Sequence, residues 1–149
     1  MTMEVNELGH VVLYVKDLDA SRRFYRDLLG WREIVHGSGA AAYSSGRTHH
    51  ELLLIRVGSE ATPIPAEPRV GLYHFGLKIG ESDDELRAAI ARLREAQVPI
   101  VGMSDHGVTH SVYLLDPDGN QIEIYIDVQP AQWRDNPGEV HMYSKPLRI

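Results

Sequence analysis

The chain has 149 residues, a formal net charge of −6, 43% apolar residues and 24% charged residues. That suits one globular domain, or two similar halves sharing a core, and the acidic balance argues against duplex nucleic acid as a partner. There are no cysteines and eight histidines, which excludes thiolate zinc sites, iron–sulfur clusters, cysteine nucleophiles and disulfides and leaves metal or acid–base chemistry to His, Asp, Glu and Tyr.

Residues 8–15 read as a strand, with Val11, Leu13 and Val15 on one face and Leu8, His10, Val12 and Tyr14 on the other. A helix follows, capped by Asp17 or Asp19 and ended by Gly30, with Phe24, Tyr25, Leu28 and Leu29 as its apolar stripe and Arg22, Arg23 and Arg26 on a solvated face. Short strands are expected at 31–35 and 40–43 and a longer one at 51–57. Residues 58–70 carry Gly58, Pro63, Pro65 and Pro68, a linker composition.

The same order then begins again. Residues 72–79 read as a strand carrying His74, and Ser82 with Glu85 forms a capping box for a helix with Leu86, Ala89, Ile90 and Leu93 at helical spacing. Strands are expected at 98–101, 110–115 and 121–128, with a turn at Asp116, Pro117, Asp118 and Gly119 before the last. The fold class is therefore α+β: two tandem βαβββ units, 1–57 and 71–128, with mixed sheets forming a metal-containing groove in one structural domain overall. Residues 129–149 form a C-terminal tail with Trp133 and Tyr143.

Alternate residues of a strand face opposite ways. The apolar odd-numbered residues of both first strands push His10 and His74 onto the helix-free face. In the last strand, Ile122, Ile124, Ile126 and Val128 are the apolar set, and Gln121, Glu123, Tyr125 and Asp127 face the other way. If the units face each other, His10, His74 and Glu123 converge as a two-histidine, one-carboxylate triad, which suits Fe(II), with Mn(II) as the alternative metal. Aligning the final strands on Val57 and Val128 sets Leu52 opposite Glu123. A fourth ligand is then missing, and the parity of Leu52 points His50 into the groove. Tyr113, on the neighbouring strand, is a further groove candidate. His36, His49, His110 and His141 are read as ordinary surface or packing residues, and His106 as a loop residue near the site.

These residues resemble the vicinal oxygen chelate superfamily, and most of all its type I extradiol ring-cleaving dioxygenases of the catechol 2,3-dioxygenase group. The segment around His10 and the Phe24–Gly30 stretch resemble the superfamily's opening. Arg47 to Leu52, with His50, resembles the segment carrying the family's acid–base histidine. Leu72, Tyr73 and His74 resemble the second ligand segment. His106, Tyr113 and Ile122-Glu123 resemble a supporting histidine, a substrate-contacting tyrosine and the carboxylate ligand.

The resemblance implies an Fe(II) dioxygenase with His10, His74 and Glu123 as ligands and His50, Tyr113 and His106 as catalytic residues. A catechol-type substrate and O2 would be the partners, in a homodimer or larger homo-oligomer. A glyoxalase-like metal-dependent lyase or isomerase and a non-enzymatic bleomycin-resistance-type binding protein are the alternatives. No apolar run reaches the roughly 18 residues of a membrane helix. The N-terminus lacks the basic and apolar segments of a secretory leader, so a cytosolic protein is expected.

Overall fold

The computed structural model describes residues 2–139 and 144–149, so His141 and Tyr143 of the expected tail lie outside the described residues. The chain forms two compact units that divide between Pro63 and Ile64. The first contains β1 (Val11–Val15), α1 (Leu18–Arg22) continuing as a π-helical segment (Arg23–Leu28), β2 (Glu33–His36), β3 (Ala40–Tyr43) and β4 (Leu52–Arg56). The second contains β5 (His74–Gly80), α2 (Asp83–Glu95), β6 (Ile100–Asp105), β7 (Thr109–Leu115), β8 (Gln121–Asp127), α3 (Pro130–Asp135), a 3-10 turn (Pro137–Glu139) and β9 (Lys145–Pro146). This is an α+β fold with two mixed sheets. No helix of the described residues is long and apolar enough to cross a membrane.

Both sheets share one topology. The four-stranded sheet runs β1-β4-β3-β2 and the five-stranded sheet β5-β8-β7-β6-β9. In each, the first and last strands of the βαβββ order pair in parallel and the other neighbours are antiparallel. A parallel pair needs a long crossover, and the helix and the two middle strands supply it.

Alternation then sorts the side chains. Leu13, Val15, Leu52 and Leu54 are buried with Phe24 and Tyr25, while Val12 and Tyr14 are exposed. In the second unit Ile122, Ile124 and Ile126 are buried with Leu86, Ile90 and Leu93 of α2. Asp17 is the cap of α1, its Oδ1 accepting from the N–H groups of Asp19 and Ala20 at 2.9 and 3.1 Å. Ser82 and Glu85 form the expected capping box on α2.

Three local expectations need correction. The first helix widens after Arg22, with Leu29 N–H donating five residues back to Phe24 O at 3.0 Å; this keeps the adjacent rings of Phe24 and Tyr25 on one buried face. Arg22 is not on a solvated face: its Nε and Nη2 donate to the two oxygens of Glu33 at 2.8 and 2.9 Å, and Glu33 also accepts from Tyr43 Oη at 3.2 Å. The first strand begins at Val11 rather than Leu8, because Arg47 Nη2 takes the Leu8 and Gly9 carbonyls, at 3.1 and 3.3 Å.

Leu54→Ala should cost about 2–5 kcal/mol in urea unfolding and Leu53→Ala well under half of that, because only the former opens a core cavity; equal losses would contradict the observed face assignment. The Arg22 hydrogen bond holds the Glu33 carboxyl below its ordinary value of 4.5. Its contribution is therefore full above the unfolded value and lost as pH falls through the lower folded one. Glu33→Gln should flatten that acid limb in melting temperatures recorded against pH.

Candidate functional site

In the first unit a single guanidinium organises the histidines. Arg47 Nη1 pairs with Glu7 at 3.0 Å and Nε with Glu51 Oε1 at 3.1 Å, in addition to the two carbonyls just ahead of β1. The loop joining β3 to β4 is thereby tied to the approach of β1. His10 and His50 come together with ring centroids 4.4 Å apart, and His49 lies 4.3 Å from His50 and 5.8 Å from His10. His50 Nε2 is buried and has no hydrogen-bond partner among the described residues. Burial first, then the neighbouring His49 and His10, holds His50 below the usual imidazole range, so its neutral form is favoured at pH 7.

In the second unit β5, β7 and β8 present a connected polar group. His74 Nε2 stands 3.3 Å from Glu123 Oε2. Tyr113 Oη lies 3.4 Å from Glu123 Oε1 and 2.9 Å from His106 Nε2. Burial, helped by the Glu123 charge, pushes the Tyr113 phenol up to about 12, so it is protonated and can donate to Glu123. With Nε2 of His106 carrying its proton, the order of donation is His106 to Tyr113 to Glu123. The turn before β8 fixes where Glu123 begins: Asp116 Oδ1 accepts from Asp118 N–H at 2.9 Å, and Gly119 adopts φ +87°.

The donors of the second unit fit a divalent metal. Two ligands about 2.1 Å from a cation and at right angles stand about 3.0 Å apart, close to the His74–Glu123 separation. Gly76 pairs with Glu123 in the ladder. A Cβ at Gly76 would lie 3.5 Å from Glu123 Oε2 and 3.3 Å from the Tyr125 ring, so the missing side chain leaves room beside the carboxylate.

The equivalence between units shifts by one residue from the expected one. Glu123 pairs with Gly76, two beyond His74; the residue pairing with Val12, two beyond His10, is Leu53. Leu52 is a fully buried core residue. The two strand ends are not equivalent because they have different partners: Val57 N–H donates to Val15 O, whereas Val128 N–H donates to Val108 O. Leu53 is no more able to ligate than Leu52, so the position remains without a fourth ligand. His50 lies outside β4, so strand parity does not govern it; the Arg47-anchored loop brings it to His10. His49, read as an ordinary surface residue, belongs to the same cluster. Adjacent loop residues are not forced onto opposite faces, and the His49–His50 pair was the available signal.

His36 Nδ1 lies 2.9 Å from Glu33, and His110 Nδ1 lies 2.7 Å from Asp83. Lys78 lies 2.7 Å from both Glu81 and Asp127.

The family model described as the Glyoxalase/Bleomycin resistance protein/Dioxygenase superfamily matches residues 7–124. A protein named catechol-2,3-dioxygenase from Bacillus subtilis is 33% identical over 147 residues, covering 98% of this chain and 50% of that protein. A metallothiol transferase from Staphylococcus epidermidis is 30% identical over 126 residues, covering 83% of each. The crystal structure of a glyoxalase/dioxygenase from Nostoc punctiforme superposes with a TM-score of 0.68 at 25% identity, covering 82% of this chain and 91% of that one. The chain thus spans half the length of the Bacillus relative.

Arg47→Gln should speed amide hydrogen exchange at residues 44–50 with little change in β7 and β8; unchanged exchange in the loop would show that Arg47 does not anchor it. Gly76→Ala should leave the melting temperature within a few degrees and weaken metal retention, read by metal analysis of the dialysed protein.

Proposed function

Because the chain belongs to the glyoxalase/bleomycin resistance protein/dioxygenase superfamily, we propose that it is an extradiol ring-cleaving dioxygenase that uses Fe(II) and O2 on a catechol-type substrate. The observation that carries this reading is the junction of His74, Glu123 and Tyr113, two neighbouring metal donors with a protonated phenol alongside. In this reading His10, His74 and Glu123 hold the metal. A triad of that composition leaves coordination positions open for substrate, and the absence of a ligand at Leu53 keeps the set at three. Ferrous iron, when bound, would couple an electron-rich aromatic ring to dioxygen, a reaction otherwise forbidden by spin.

The protein's own groups then have defined tasks. His50, kept neutral by burial, accepts a proton from a substrate hydroxyl and later returns one as the ring opens; a single imidazole can do both near pH 7. Tyr113 directs its phenol at a substrate oxygen. His106, 2.9 Å from that phenol, holds its orientation. The product would be a hydroxymuconic semialdehyde-type acid. The reading includes a role in aromatic catabolism, a cytosolic location and a homodimeric or larger assembly, and it gives no role to nucleic acid or membrane.

The metallothiol transferase relative makes the contrast with other superfamily chemistries concrete. A lyase, isomerase or transferase of this fold needs no O2, and a sequestering protein needs no metal triad. Oxygen-electrode traces from anaerobically Fe(II)-loaded protein should show O2 uptake with at least one member of a substituted-catechol panel, together with a yellow product. No uptake and no product across the panel would reject the reading. His50→Gln should keep iron near the wild-type level while turnover falls about 10²- to 10⁴-fold; iron lost together with activity would make His50 a ligand instead.

A further inference from the structure

We propose that His10, His49 and His50 form a second, tri-imidazole site for a borderline divalent cation, zinc above all, which excludes the ferrous centre by taking His10. That exclusion rests on the function proposed above; the binding itself needs only the first unit. One ring nitrogen from each histidine lies within 4.8 Å of the others, the only such trio among the described residues. Tetrahedral zinc with Zn–N bonds of about 2.0–2.1 Å sets its nitrogens about 3.4 Å apart. His10 and His49 are exposed and His50 half-buried, so side-chain rotation closes the remaining gap without disturbing packed residues.

Two features besides proximity favour a ligand. The buried Nε2 of His50 has no partner among the described residues, and a cation would satisfy it. The backbone that carries the trio is already fixed by Arg47, which spans Glu7, Leu8, Gly9 and Glu51. Glu51 does not join as a fourth ligand, because Ser45 and Arg47 occupy its carboxylate oxygens. An all-imidazole set with water in the fourth position binds zinc, copper or nickel ahead of ferrous iron. A zinc ion there would remove His10 from the ferrous ligand set and silence His50 as a base. The trio would thus make the protein sensitive to zinc through residues of its own site.

The test is a zinc titration of the full chain carrying His74→Ala and Glu123→Ala, which removes two proposed ferrous ligands and leaves the trio. Calorimetry should find one zinc per chain, and adding His49→Gln should weaken that binding at least tenfold. Cobalt in place of zinc should give the visible absorption of a tetrahedral site, and that band should vanish with His49→Gln. No zinc binding by the double variant, or binding indifferent to His49, overturns the proposal. If circular dichroism shows the double variant unfolded, His74→Ala alone serves for the same comparison with and without His49→Gln. Oxygen uptake by the Fe(II)-loaded wild type is a separate measurement, so failure of ring cleavage and failure of the zinc site are told apart.

Discussion

The parallel ladder joining the first strand of each unit to its last decides which side chains can share a face. Once β1 lies beside β4 and β5 beside β8, alternate residues of β1, β4 and β8 turn into a buried core. Leu13, Val15, Leu52 and Leu54 meet that demand in one unit, and Ile122, Ile124 and Ile126 in the other. The opposite face is released from packing, and polar residues accumulate there at no cost to the core. Glu123 is placed by this alternation, between two buried isoleucines. Tyr113 faces it because the two are directly paired across β7 and β8.

Much of this was legible in the sequence because a period of two and a repeated order leave few choices. The apolar runs around Leu13 and Ile124, the Ser82–Glu85 box and the Asp116–Gly119 turn each encode a local geometry that tertiary structure had no reason to override. Legibility stopped where long-range pairing takes over. Register between strands cannot be counted from their ends, so the sequence points to Leu52 where the structure has Leu53. A loop has no period, so alternation carries no information about the directions of His49 and His50, which lie ahead of β4. Arg22 carried the same weakness: its partner Glu33 lies eleven residues away, on a strand whose pairing the helix pattern does not reveal.

The two halves of the proposed chemistry are prepared by different physics. In the first unit one arginine ties a loop to the start of a strand, and burial biases His50 toward its neutral form. In the second the ladder itself sets the distances, and Tyr113 is kept protonated by burial next to a carboxylate. Gly76 contributes by having no side chain, since its partner across the ladder is Glu123. Each arrangement suits the task proposed for it: His50 stays free of charge as a base, Tyr113 stays a donor, and the space beside Glu123 is left open for a cation.

The most direct measurement is the iron content per chain after anaerobic loading with Fe(II) and removal of excess metal, in the wild type and in the His10→Ala and His74→Ala variants. Ligand loss weakens metal binding steeply, so the account predicts about one iron per wild-type chain and a severe loss in each variant. Full iron content in His10→Ala beside an empty His74→Ala protein would contradict the proposed assignment of His10 as a ligand of the ferrous centre.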